Sequence, residues 1–369
     1  MPKTIYVIMK SFCDLQKIDE FNSLRFVFAI LIFCGHYFTN LRLSQFGASS
    51  VAFFFILSGF SVSFGYSGKV ISNELDYKKY MIKRIKKLYP LNLFCLLLFL
   101  ILPLYNSIQT GDFNPLSYGL LVLNVSLIQS WIPIQGVYFS GNAVAWFLCD
   151  ILFCYLLFPV LLKVLNKNIR YMICILVAYF IIVQFIPSEY IHALIYIYPL
   201  FRIVDFCLGI SLYLIIKNNP RLIIKGYYLV LLELVSLVIF LFSLFVFKQT
   251  DAKYALTSLF WIPSLLIIYS VVLRSLSGGG ISCILKSKFW TYLGVLSFPF
   301  YMFHDIVIHW HLKICSIIDD HSCFDKLADY YYDYSVLGAI LCISTTLLLS
   351  YLYVHYVSPF IGRKLISRL

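Results

Sequence analysis

Charge is scarce in this sequence. Only 12% of its 369 residues are Asp, Glu, Lys or Arg, against about a quarter in an average soluble domain. Acidic residues are the scarcer kind, 17 against 29 basic ones, which leaves a net charge of +12. That positive balance comes without a basic stripe interleaved with aromatics, so a nucleic-acid partner is excluded. No Cys-x-x-Cys or Cys/His spacing occurs among the 11 cysteines, and no zinc site is expected. Most cysteines (Cys34, Cys95, Cys149, Cys154, Cys174, Cys207, Cys342) lie within apolar runs, where the residue acts as a small hydrophobe; Cys315 and Cys323 share one stretch and could pair. The run Gly278-Gly279-Gly280 lacks the Lys-Ser/Thr that would make it a phosphate loop. There is no Gly-x-Ser-x-Gly elbow of a soluble hydrolase. Lys3, Lys10 and Lys17 lead into an apolar stretch too long and too late for a cleavable signal.

Apolar side chains dominate instead. They make up 61% of the chain, 18% of it aromatic, and the mean hydropathy is +0.88. A window of about 20 residues, the length that crosses a bilayer as a helix, marks eleven apolar segments. They run over 22–40, 48–66, 88–105, 115–133, 143–165, 169–186, 195–216, 226–247, 255–274, 291–311 and 335–357. No soluble domain fits between them, so residues 1–369 are expected to form one membrane-embedded domain with no appended soluble domain.

Lys and Arg set the orientation, because they concentrate in cytoplasmic connections. Residues 67–87 carry Lys69, Lys78, Lys79, Lys83, Arg84, Lys86 and Lys87 and are read as a cytoplasmic loop. Further basic connections hold Lys163, Lys167 and Arg170, then Lys217, Arg221 and Lys225, then Arg274, Lys286 and Lys288. Three segments separate the first of these from the second, and three crossings cannot return to the same side. The segment 115–133, with Asn114, Asn124, Gln129 and Pro133 and no flanking Lys or Arg, is the one expected to be re-entrant or interfacial. The expected fold is therefore all-α, with about ten transmembrane helices, one re-entrant or interfacial segment, and both termini cytoplasmic.

Ionisable residues inside spans mark function unless they are paired or hydrated. Arg25 and His36 are eleven residues apart, three helical turns and a rise of about 16 Å, so they share a face that Asn22 and Asn40 extend. Each also has a plainer role open to it: Arg25 could snorkel to headgroups, and His36 could bond a neighbouring helix. Arg84 and Lys87, at i and i+3, suit the gripping of phosphates or serve as a positive-inside anchor. Ser297, Tyr301 and His304 line one face, with Asp305 beside them. His309 and His311 follow and are given an interfacial role. Arg202 and Asp205, at i and i+3, read as an internal ion pair; Asp150 is a further buried carboxylate, and Glu233 stands alone.

These motifs together resemble the acyltransferase 3 family. Ile18-Asp19-Glu20-Phe21-Asn22-Ser23-Leu24-Arg25 followed by His36 is similar to its opening, an Arg, ten residues and a His. Phe53-Phe54-Phe55-Ile56-Leu57-Ser58-Gly59-Phe60 resembles its second-helix signature, and Arg84-x-x-Lys87 before Tyr89-Pro90 its Arg-x-x-Arg/Lys motif. Trp146-Phe147-Leu148 with Tyr155-Leu156-Leu157-Phe158-Pro159, Arg202 with Phe206 and Gly209, and Leu293-Gly294 with Tyr301 and His304 resemble later blocks in order. Two departures stand out. Asp150 takes a slightly different spacing from the Glu that many members carry after the Trp, and Ser358, not Glu, precedes Pro359.

The resemblance implies transfer of an acyl group, usually acetyl from cytoplasmic acetyl-CoA, to a hydroxyl of a cell-surface polysaccharide or its lipid-linked precursor in the bacterial cytoplasmic (inner) membrane. No permanently bound cofactor is implied; the partners are acyl-CoA, a glycan or lipid-linked sugar, and the bilayer. Under that reading Arg25, Arg84 and Lys87 hold the donor's phosphates, while His36, with His304 and Tyr301, performs the chemistry. Arg202, Asp205, Asp150 and Ser58 support them. The competing reading is a transporter or flippase of a lipid-linked sugar or acylated glycan, which should show two related halves; no internal repeat is seen.

Overall fold

The computed structural model describes residues 18–41, 43–110, 115–219, 226–319 and 336–360. Among them there is no strand. The principal helices are α1 (Glu20–Tyr37), α2 (Ser44–Ile71), α3 (Tyr77–Thr110), α4 (Pro115–Ser126), α5 (Trp146–Lys167), α6 (Tyr171–Gln184), α7 (Pro199–Asn218), α8 (Tyr227–Val246), α9 (Trp261–Ser277), α10 (Lys288–Asp319) and α11 (Val336–Leu352). The termini, Asn40's side chain and Cys323 lie outside the described residues, and with them the expected cytoplasmic ends and the Cys315–Cys323 pairing.

Seven helices among the described residues are long and apolar enough to cross a membrane: α2, α5 and α7 to α11, some extended by a flanking turn. The other three expected crossings fall on α1, α3 and α6. Helix α1 carries Glu20, Asn22, Arg25 and His36 in 18 residues. Helix α3 opens on a basic stretch. Helix α6 has only 14 residues, about 21 Å of rise against a hydrocarbon core of about 30 Å. Helix α4, within the segment expected not to span, is shorter still at 12 residues. It ends where Leu127 turns left-handed at φ 53°, and the side chain of Asn124 bonds Leu120 O (2.9 Å) and Ser140 Oγ (2.7 Å).

Lipid is the solvent this surface suits. Helix α8 exposes Leu234, Leu237, Val238, Leu241, Phe242 and Phe245, each more than half accessible. In water such a face would drive aggregation.

Two close helix contacts build the frame. A Cβ on Gly59 would lie 2.1 Å from Phe206 O, and one on Gly209 would lie 1.9 Å from Ile56 O. Helices α2 and α7 therefore touch backbone to backbone, the small-residue packing that serves where lipid offers no hydrophobic drive between helices. Gly294 does the same for α10 against α1, where a Cβ would sit 2.4 Å from the Asn22 carbonyl carbon.

Two sequence expectations are corrected. The basic stretch 67–87 is not a loop: α2 runs on to Ile71 and α3 starts at Tyr77, leaving a link of five residues. Asp76 begins α3, its carboxylate accepting from Lys79 N at 3.0 Å, and that bond holds the Asp76 carboxyl below its ordinary range. Lys and Arg are good helix formers, so charge alone did not mark a break. Glu233 does not stand alone either. It takes Arg274 in a two-pronged pair, Nε to Oε1 at 2.8 Å and Nη2 to Oε2 at 2.5 Å, which a separation of 41 residues hid.

Candidate active site

Helices α1, α2, α3, α5 and α10 surround a cavity of about 900 Å³ of unfilled space, its mouth included. Arg25, Arg84 and Lys87 all line it, as do Ser58, Ser61, Tyr155, Ser297 and Tyr301. Among the described residues no carboxylate does. Arg25 donates to Asn22 Oδ1 (2.8 Å) and Ser61 Oγ (3.2 Å), partners that fix the guanidinium without neutralising it. Arg84 sits among the rings of Tyr66, Tyr80 and Tyr155. Three cations without an acid make a receptor for a polyanion.

Three helices line the cavity lengthwise: 54, 58 and 61 on α2; 147, 151 and 155 on α5; 301 and 297 on α10. The cations gather at one end, where Ser61 and Tyr155 lie. At the other, Phe54, Phe147 and Tyr301 pack ring to ring, with centroids 5.6–6.3 Å apart. From 54 to 61 the helical rise is about 10 Å.

Beyond this aromatic end are the histidines. His36 and His304 do not line the cavity; Tyr301 joins the two regions, since it lines the cavity and its ring lies 5.8 Å from that of His304. His304 Nδ1 is 2.6 Å from the Tyr301 carbonyl, and its Nε2 is 3.1 Å from His36 Nδ1. Asp305 approaches the same nitrogen of His36 at 3.8 Å and His309 Nδ1 at 3.6 Å. His304 is fully buried, whereas the His36 side chain is 40% exposed.

The protonation pattern follows from the acceptors. A carbonyl only accepts, so His304 Nδ1 carries a hydrogen and donates it to Tyr301 O. In the neutral imidazole Nε2 is then a lone pair, which accepts from His36 Nδ1–H. His36 Nε2 is left as an uncommitted base. The register of this chain is held from outside α10: the Tyr301 hydroxyl donates to Val144 O (2.8 Å), and Asn142 Nδ2 donates to Met302 O (2.9 Å).

The chain of motifs seen in the sequence extends over the whole domain. A family model for the acyltransferase 3 family, described as an acyltransferase domain, matches residues 18–355. The chain belongs to this family. No curated protein and no solved structure gives a match. An acyltransferase 3 member with these apolar helices is a multi-pass membrane acyltransferase.

The remaining expected residues of this acyltransferase fall into two groups. Ser58 lines the cavity. Arg202, Asp205 and Asp150 do not, and the first two form the internal pair expected of them. Arg202 Nη1 donates to Asp205 Oδ2 at 2.7 Å and its Nε to Tyr196 O at 2.7 Å, while Trp261 Nε1 donates to Asp205 Oδ1. Asp150 is fully buried, and neither carboxylate oxygen has a hydrogen-bond partner among the described residues. Ser61, Tyr66 and Tyr80 are neighbours of the site that the sequence reading does not single out; Asn22 enters it only as an extension of the Arg25 face and Tyr155 only within a family-like block. Hydroxyl and amide side chains one or two turns from a charged motif were the available signal. His309, given an interfacial role, has an exposed side chain and also shares Asp305 with His36.

Proposed function

We propose that this protein is a membrane O-acyltransferase that takes an acetyl group from cytoplasmic acetyl-CoA and places it on a hydroxyl of a cell-surface polysaccharide or its lipid-linked precursor. The setting is the bacterial cytoplasmic membrane. The observation that carries this reading is the contact at Tyr301 between a cationic cavity, without an acid among the described residues, and a histidine chain ending in a His36 nitrogen that none of them bonds.

The donor enters from the basic end, its phosphates on Arg25, Arg84 and Lys87, with its thioester arm directed past the aromatic end toward His36. The acceptor hydroxyl comes to His36 from the opposite side, through that residue's exposed edge. His36 Nε2 takes the hydroxyl proton as the sugar oxygen attacks the thioester carbonyl. The C–O bond forms and the C–S bond breaks, and the departing thiolate of coenzyme A receives the proton. Ester and free thiol leave. Asp305, 3.8 Å from His36 Nδ1, faces the positive charge on the imidazolium between the two proton transfers.

Acetyl-CoA labelled in its acetyl group, given to membranes containing the protein, is expected to label the extracted glycan. Label remaining wholly in the donor, with the glycan crossing the membrane unchanged, would instead support the transporter reading.

A further inference from the structure

We propose that Tyr66, Tyr80 and Tyr155 form an aromatic collar that positions Arg84 as a receptor for the donor's phosphates, an inference that rests on the cavity being the donor site. The guanidinium carbon lies 5.0, 5.2 and 4.9 Å from the centroids of these three rings. They come from α2, α3 and α5, so the collar exists only in the folded bundle. Tyr80 is one turn before Arg84 on the same face of α3. Its hydroxyl donates to Tyr155 O at 3.1 Å, and its ring meets Tyr66 edge-on at 5.1 Å.

Ring faces stabilise a cation through their quadrupole and occupy none of its N–H groups. Among the described residues Arg84 Nε is buried without a hydrogen-bond partner, and no acid lines the cavity it faces. Arg202 shows the contrast within the same molecule. It too lies over three rings, those of Tyr196, Phe55 and Trp146, but Asp205 closes its charge. One aromatic-held arginine is neutralised and structural; the other keeps its charge for a ligand. Held in place beforehand, Arg84 does not have to be ordered when an anion arrives, which saves part of the usual cost of binding.

The test is the Kd for coenzyme A of purified protein in nanodiscs. Tyr66→Leu and Tyr155→Leu are each expected to weaken binding about 3- to 30-fold, or about 0.6–2 kcal/mol. Tyr66→Phe and Tyr155→Phe, which keep the ring face, should restore affinity to within about twofold. A residue serving packing alone would lower the melting temperature without this pattern. Should a leucine variant fail to fold, increasingly fluorinated phenylalanines at position 66 keep the shape while draining the ring face, and affinity should fall stepwise. Leucine variants that bind like the parent, or a flat fluorination series, would overturn the collar. If Arg84→Ala itself binds coenzyme A normally, the donor-site reading fails rather than the collar alone.

Discussion

His36 Nδ1 and His304 Nε2 meet at 3.1 Å across the α1–α10 contact, although 268 residues separate them in the chain. With Nδ1 engaged, the proposed mechanism uses Nε2 as the base of His36. His36→Ala should lower kcat by about 10²–10⁴-fold, the usual contribution of a positioned general base, with the protein still inserted and its affinity for coenzyme A unchanged. Labelled-acetyl transfer on purified protein checks this, and near-normal turnover would remove His36 from the chemistry.

In the proposed mechanism His304 acts through His36, to which it bonds at 3.1 Å. His304→Ala should therefore reduce kcat by less than His36→Ala, by at most about 10²-fold, with the KM for acetyl-CoA unchanged. A glutamine at 304, whose carbonyl oxygen can still accept from His36 Nδ1–H, should recover part of the loss. Equal losses in all three variants would show that His304 does more than orient its neighbour.

The Arg202–Asp205 pair makes a prediction about stability. Both side chains are buried, and removing one member of such a pair strands the other charge. Arg202→Met should cost about 3–5 kcal/mol, whereas Arg202→Met with Asp205→Leu should cost much less. Thermal unfolding in detergent separates these outcomes. A double variant no better than the single would mean that Trp261, which also bonds Asp205, carries the effect.

Gly209→Leu should be tolerated worse than a similar enlargement on a lipid face. A Cβ alone would come within 1.9 Å of Ile56 O, and backbone cannot rotate away as a side chain can. The cost is expected to exceed the roughly 1–3 kcal/mol of ordinary overpacking. Leu237→Phe on exposed α8 should be close to neutral. Yield of monodisperse protein compares the two.

Much of this was legible in the sequence. Apolar runs pointed to an all-helical membrane chain; in the segment expected not to cross, α4 has 12 residues, but α6, expected to cross, has only 14. Arg25, Arg84 and Lys87 were drawn together by their motifs, and they do share one cavity. Spacing along one helix could not show what faces it. That His36 meets His304, that Glu233 meets Arg274, and that three tyrosines surround Arg84 all depend on contacts between helices distant in the chain. The start of α3 is not visible in the charge pattern of 67–87, because Asp76 starts a helix that keeps its cations on ordered turns.

The Gly59–Gly209 contact also limits how the bundle can open. Two helices whose main chains meet with nothing between them have no yielding layer along which to slide, and Gly294 against Asn22 stiffens the α1–α10 crossing in the same way. Helix α3 is fastened differently, by the Tyr77 and Tyr80 hydroxyls donating to the carbonyls of Leu156 and Tyr155 on α5, each at 3.1 Å. Helix α3, which bears Arg84 and Lys87, is thus keyed to α5 through side chains rather than main chain.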